Sequence, residues 1–199
     1  MKTGRSTTIK TAIAVLGVLF SAGCAAQGTG GSLSPALPAT GVSAVVREGD
    51  DGHYRSGTAM RFQDNGDGTV RDLNTGLTWM KSGRGEIDTD PPTPYREEGG
   101  WRKYNWTDAI TYCEHLDFAG YQDWRLPNYK ELVSILDLGR TDPAVNTAFF
   151  PDTRSDFYWT STPFTYDPAH AWYVYFNLGY VNHASMDQEL FVRPVRGPD

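Results

Sequence analysis

Apolar and polar positions along this chain repeat with two different periods, and the change of period marks the elements. Ala109, Ile110, Cys113 and Leu116 fall at i, i+1, i+4 and i+7, which is one face of a helix. Asn105 stands where a cap belongs. Asp108 occupies the third helical position, where a carboxylate favours the positive helix end, and Gly120 closes the segment. A second helix is predicted after Pro127. Asn128 caps it, Glu131 completes a capping-box-like pair, Leu132, Val133, Ile135 and Leu136 form the buried stripe, and Gly139 is the stop.

Elsewhere the pattern is that of short strands. Residues 69–72 and 77–80 flank Asn74-Thr75-Gly76, a turn whose glycine can take positive φ. Residues 157–162 are aromatic and β-branched. Residues 170–176 and 180–185 straddle Asn177-Leu178-Gly179 and read as a hairpin. Residues 190–195 form a closing strand in which Pro194 implies an edge or a bulge. The Gly-, Pro- and charge-rich stretch 81–100 reads as an exposed loop. Two helices, many short strands and long connections predict an α+β domain over residues 45–199, with no internal repeat.

The amino terminus has a different character. Lys2, Arg5 and Lys10 precede an apolar run from Ala12 to Phe20, and no acidic residue occurs before Cys24. Nine residues cannot span a hydrocarbon core of roughly 30 Å, but they suit a secretory signal. The run ends Ser21-Ala22-Gly23-Cys24, which resembles the lipobox of bacterial lipoproteins. That resemblance implies removal of residues 1–23, lipid attachment at Cys24, and an outer-membrane address from Ala25. A plain secreted protein cut near Ala22 or Ala26 is the alternative. Residues 24–44 are mostly Gly, Ser, Ala, Pro and Thr, and predict a flexible tether.

Charge narrows the partners. The net charge is −6, and loss of the three basic residues before Cys24 leaves 15 basic against 24 acidic side chains, a net of −9. That argues against a nucleic-acid binder drawn in by overall field. With Cys24 committed to the anchor, Cys113 is the remaining thiol. Its place on an apolar helix face predicts burial and inertness.

Candidate chemistry is sparse. Asp64, Asp67 and Asp72 gather oxygens around Gly66 and Gly68, as Ca²⁺ requires, although a hairpin turn explains the same residues and the EF-hand order is missing. The histidines, His53, His115, His170 and His183, lack ligand spacing. A hairpin turning at Leu178-Gly179 sets His170 opposite Asp187 and His183 opposite Val174. Asp123-Trp124-Arg125 predicts an internal arginine pair that fixes the loop before the second helix. No nucleophile elbow or phosphate-binding glycine loop occurs. The best ligand candidates are aromatic: Trp159, Tyr166, Tyr173, Tyr175 and Tyr180, with Tyr158 and Trp172 beside them. Tyr173 and Tyr175 share one strand face, expected to be the open one; Trp172, Val174 and Phe176 share the other. The competing reading is that the tyrosines only cover the sheet.

Several segments occur together and in order: Asp51-Gly-His-Tyr-Arg-Ser-Gly57, Arg61-Phe-Gln-Asp-Asn-Gly-Asp-Gly-Thr-Val-Arg-Asp72, Thr75-Gly-Leu-Thr-Trp-Met80, Trp106-Thr-Asp-Ala109, Gly120-Tyr-Gln-Asp-Trp-Arg-Leu-Pro127, Lys130-Glu-Leu132, Tyr158-Trp-Thr-Ser-Thr162 and Val192-Arg-Pro-Val-Arg-Gly197. This set resembles the Lcl C-terminal domain family, the lectin-like end of a bacterial collagen-like adhesin, over about residues 50–197. The resemblance implies a C-type-lectin-like fold of two helices on small twisted antiparallel sheets, surface exposure, and binding of sulfated glycans. No Gly-X-Y stretch precedes the domain, and the Glu-Pro-Asn and Gln-Pro-Asp triplets of calcium-dependent sugar lectins are absent. Trp124-Arg-Leu-Pro127 with Glu131 is also similar to formylglycine-generating oxidases, which need paired thiols; Cys113 alone does not supply them. The expectation is therefore a lipid-anchored, non-enzymatic envelope module that needs no cofactor and binds an extracellular glycan or protein. The alternative is an envelope assembly lipoprotein.

Overall fold

A computed structural model describes residues 37–90 and 92–197. The signal segment, Cys24 and the first part of the tether lie outside the described residues. Among the described residues no helix is long and apolar enough to cross a membrane.

The architecture is α+β, with three helices and three small antiparallel sheets among the described residues. Strands β1 (Phe62–Asp64), β2 (Thr69–Asp72), β3 (Thr78–Met80) and β9 (Val195–Arg196) form one sheet in the order β1-β2-β3-β9. The last strand thus returns to the first hairpin and closes the chain. Strands β4 (Arg96–Glu98) and β5 (Trp101–Lys103) form a separate hairpin, and β6 (Phe157–Pro163), β7 (His170–Tyr175) and β8 (Tyr180–Ser185) form a meander.

Helix α1 (Asp51–Tyr54) was not legible in the hydrophobic pattern, because its carboxylate cap rather than an apolar stripe organises it. Asp50 accepts hydrogen bonds from the backbone N–H groups of Val46, Arg47 and His53. Those bonds hold its carboxyl below the usual value. Helix α2 (Trp106–Glu114) starts as expected, with the Asn105 side chain accepting from the Asp108 N–H at 2.9 Å. Helix α3 (Tyr129–Ser134) has the full capping box. It ends well before Gly139. The Leu136 N–H turns back to the Val133 carbonyl, and the next two N–H groups bond Ala144 and Thr40. Ile135 and Leu136 are buried, but as part of a turn that leaves the helix for tertiary partners.

Two clusters form the core, and the β6–β8 sheet lies between them. Tyr158 and Val174 join Leu132, Phe150 and Val195 in one cluster. Trp159, Ala171 and Ala184 join Tyr112, Cys113 and Leu116 in the other. The expectation that one face of this sheet is core and the other open is therefore corrected: apolar side chains cover part of each face.

The hairpin register also differs from the expected one. Tyr175 pairs with Tyr180, Trp172 with His183 and His170 with Ser185. Phe176 is buried outside the ladder: its N–H bonds the Asp156 carbonyl, and its own carbonyl accepts from Ala144. The connection is consequently four residues, closed by Gly179 at φ +74° with its N–H on the Tyr175 carbonyl.

Three further boundaries move. Residues 37–44, assigned to the tether, pack against the domain, with Pro38 bridged to Thr58 and Thr40 bonded to Leu138 and to the Asp51 carboxylate. The stretch 81–100 is not simply exposed, since Gly83, Gly85, Thr89 and Thr93 are buried and β4 lies within it. Residues 190–195 do not form one strand, although β9 does lie at the edge of its sheet. Leu190 and Phe191 make single bridges to Tyr104 and Tyr158, and regular pairing begins at Val195.

Candidate binding groove

The groove is built from the first turn of α3. Asn128 Oδ1 accepts the N–H groups of Lys130 and Glu131 at 2.9 and 3.0 Å. Glu131 Oε2 accepts the Asn128 N–H at 2.8 Å, and both Glu131 oxygens take Arg125 in a fork at 2.7 Å. Two bonds tie this turn to β6: Tyr129 N–H to Thr162 Oγ1 at 3.0 Å, and Ser161 N–H to the Pro127 carbonyl at 2.8 Å. Trp172, on the neighbouring strand, meets the Tyr129 ring at 5.4 Å and 69°. Asn128, Tyr129, Lys130, Thr162 and Trp172 line an open cavity of about 430 Å³. Tyr129 also walls a second cavity of about 360 Å³, formed with Pro38, Val133, Leu136, Leu138 and Tyr180.

Trp172 is held from behind by Phe164, edge-on at 5.3 Å, and Phe164 stacks flat on His183 at 3.9 Å. His183 and His170 lie 5.3 Å apart, and Asp167 contacts His170 Nδ1 at 2.7 Å. The actual register thus brings together two histidines that the expected turn kept apart.

The five aromatic candidates do not share one site. Trp159 is fully buried, with its indole N–H on the Tyr104 carbonyl at 2.9 Å; it is a core residue, which corrects its assignment to ligand binding. Tyr173 and Tyr175 are half-buried around Phe157, at 4.8 and 4.5 Å, and burial pushes the Tyr173 hydroxyl up from its ordinary value. Tyr180 packs edge-on against Tyr175 at 4.9 Å and reaches the second cavity. Tyr166 is 91% exposed on the β6–β7 connection, 5.7 Å from Phe164. Tyr158 is also core. Tyr129, Lys130 and Thr162 were missed. Tyr129 and Lys130 directly follow a strong cap and stand outside the Leu132–Ile135 stripe, and that was the available signal.

The acidic candidates are engaged in turns. Asp64 accepts the Gly66 N–H and pairs with Lys81, which lowers its pKa. Asp67 accepts the N–H and hydroxyl of Thr69, and Asp72 binds Asn74 and Thr75. The three carboxylates are not gathered: among the described residues no three His, Cys, Asp or Glu side chains are grouped to hold a metal ion. Asp64, Asp67 and Asp72 serve as turn residues in this structure.

Arg125 pairs with Glu131 rather than with its neighbour Asp123, which binds Arg196 at 2.7 Å and is shifted down by that bond. Arg193 is fully buried and pairs with carbonyl groups. Cys113 is buried against the second core cluster, and burial raises its thiol pKa well above the ordinary value.

No curated protein matches the chain. The profile of the Lcl C-terminal domain matches residues 68–196, more than half of the chain, and contains the first-turn groove residues of α3 together with Thr162 and Trp172. The segments 51–57 and 61–67, which contributed to the resemblance, precede the match. The chain belongs to the Lcl C-terminal domain family.

Proposed function

We propose that this chain is an adhesin-like recognition module of C-type-lectin-like fold, held to a bacterial envelope by lipid on Cys24 and acting by binding rather than catalysis. Family membership supports display toward an extracellular partner. The observation that carries the reading is the open groove at α3, where the aromatic rings of Tyr129 and Trp172 stand beside polar groups that are fixed by the capping box. Rings with adjacent hydrogen-bonding groups suit the apolar face and hydroxyl rim of a sugar. A glycan array probed with the full chain, alongside Trp172→Ala, tests the reading. Binding of a defined glycan class that falls at least tenfold in the variant supports it. Absence of binding to every glycan, or binding unaffected by the substitution, refutes it. Radiolabelled palmitate incorporated by the chain but not by Cys24→Ser tests the anchor.

A further inference from the structure

We infer that the groove takes a glycan through a carboxylated pyranose, a uronic- or sialic-acid residue. This rests on the groove being the recognition surface and adds the chemical class of its ligand. The inference comes from which polar atoms the fold has already used. Asn128, an exposed residue, spends its side-chain oxygen on two backbone N–H groups of α3, and its amide N–H₂ has no protein partner among the described residues. The Thr162 oxygen accepts the Tyr129 N–H and leaves its own proton to donate. The Trp172 indole N–H has no protein partner among the described residues, and Lys130 is exposed with no ion pair among them. Glu131, the nearest carboxylate along the helix, is turned to Arg125. What remains around the two rings is therefore mostly donors, with the Tyr129 hydroxyl able to donate or accept and one cation outside any ion pair among the described residues, on a chain whose net charge is negative. Backbone N–H groups of α3 do not supply the attraction, because Asn128 and Thr162 already satisfy the first three.

That rim calls for acceptors and one negative charge, and the apolar walls call for a flat apolar face. A carboxylated sugar brings all three. An acidic peptide brings the carboxylate too, but its backbone N–H groups need acceptors, and the oxygens of Asn128 and Thr162 already carry bonds. A single cation also matches a single carboxylate rather than a densely sulfated chain.

The experiment titrates the full chain with β-glucuronosyl and α-sialyl oligosaccharides, each against its neutral counterpart (the glucosyl analogue and the methyl ester). Saturation-transfer NMR reports binding, together with the part of the intrinsic fluorescence change, from six tryptophans, that is lost in Trp172→Ala. The expected result is that at least one acid binds and its neutral counterpart binds roughly tenfold or more weakly, with the bound member identifying the sugar. Lys130→Gln, an exposed position, should remove most of that preference. Asn128→Asp, which keeps the cap but turns a donor into a carboxylate, should reverse it. Equal binding of acid and neutral forms, both lost in Trp172→Ala, overturns the acidic class and leaves the groove standing. An acid preference unchanged in Lys130→Gln and Asn128→Asp overturns the assignment to this groove. Binding of acidic peptides in preference to every sugar overturns the proposal as well.

Discussion

Arg193 offers the sharpest test of how this fold is held together. Its guanidinium is fully buried and, among the described residues, forms no ion pair with a carboxylate; burial draws its pKa below the ordinary arginine value, with Asp152 and Glu86 opposing that shift from a distance. It is satisfied instead by three short bonds, to the carbonyls of Met80 and Lys81 at 3.0 and 2.8 Å and to Thr153 Oγ1 at 2.7 Å, and by a longer one to the Asp152 carbonyl at 3.5 Å, and it lies over the Phe150 ring at 5.1 Å. It thereby joins the closing segment to the end of β3 and to the 152–153 turn. Gly83 makes the fit possible, since a Cβ there would come within 2.6 Å of the guanidinium.

Two substitutions separate charge from geometry. Arg193→Lys keeps the buried charge but loses the planar fork. If one of the short bonds survives, two short charge-assisted bonds are lost, and at roughly 1.5–3 kcal/mol each the cost is about 3–6 kcal/mol. Arg193→Met loses all four bonds but also relieves the guanidinium's desolvation, itself several kcal/mol, so the net cost is about 1–3 kcal/mol. The conservative change is therefore expected to be the more damaging one. Urea unfolding of the full-length variants, with equal m-values as the check on two-state behaviour, measures both. Arg193→Lys should melt on the order of 10 °C lower than the parent. A lysine variant as stable as the parent, or a methionine variant clearly less stable than the lysine one, would refute the argument that fork geometry rather than charge holds this joint.

Three other outcomes are expected. Cys113 should resist an aromatic disulfide reagent in the folded chain and react fully in denaturant, because its thiol is buried with a raised pKa; native-state labelling at the rate of a free thiol would contradict its place in the core. Asp123 has a pKa depressed by Arg196, so its contribution to stability is present above the ordinary carboxylate value of 3.8 and disappears as pH falls through the lower, folded-state value. Asp123→Asn should remove that part of the acid-dependent loss, seen as a flatter stability profile below pH 4, and an unchanged profile would count against the pair. Gly179→Ala should destabilise by about 1–2 kcal/mol from positive φ alone, and more through its close approach to Leu138, where a Cβ would meet Cδ2 at 2.4 Å; a neutral effect in thermal melts would contradict the four-residue hairpin loop.

The parts of the fold that could be read from the chain are those set by neighbouring residues. Asn105 with Asp108, and Asn128 with Glu131, cap helices through bonds that span three positions, so their spacing alone announces them. The Asn74-Thr75-Gly76 turn is equally local, with Asp72 accepting from the next residues and Gly76 at φ +76°. The misread positions depend on distant partners. The α3 stripe runs on to Leu136, but Thr40 and Ala144 claim the backbone beyond Val133. The hairpin register was misplaced because Phe176 is drawn into the core by bonds to Asp156 and Ala144, which the hairpin sequence does not encode. The period-2 pattern of β7 could not say which face is open, since a sheet between two core clusters buries part of each.

The same distinction explains why the groove escaped a reading by residue type. Aromatic residues were sought as binders, yet Trp159 has the composition of a ligand platform and the environment of a core residue, because the Tyr104 carbonyl satisfies its indole inside the protein. Trp172 differs by having a ring held by Phe164 and an N–H left over. Trp79 also has an indole N–H without a partner among the described residues, yet it is fully buried in the core; what sets Trp172 apart is a free polar atom on a ring that lines an open cavity, and both conditions are fixed by long-range contacts. Asn128 carries the argument furthest. Its oxygen belongs to the fold and its nitrogen to the groove, so the cap that starts α3 also orients a donor toward the outside. Stability and recognition are coupled at that one amide. Asn128→Ala should cost about 1 kcal/mol as a lost cap and weaken glycan binding together, whereas Asn128→Asp should leave the melting temperature near that of the parent and alter binding alone.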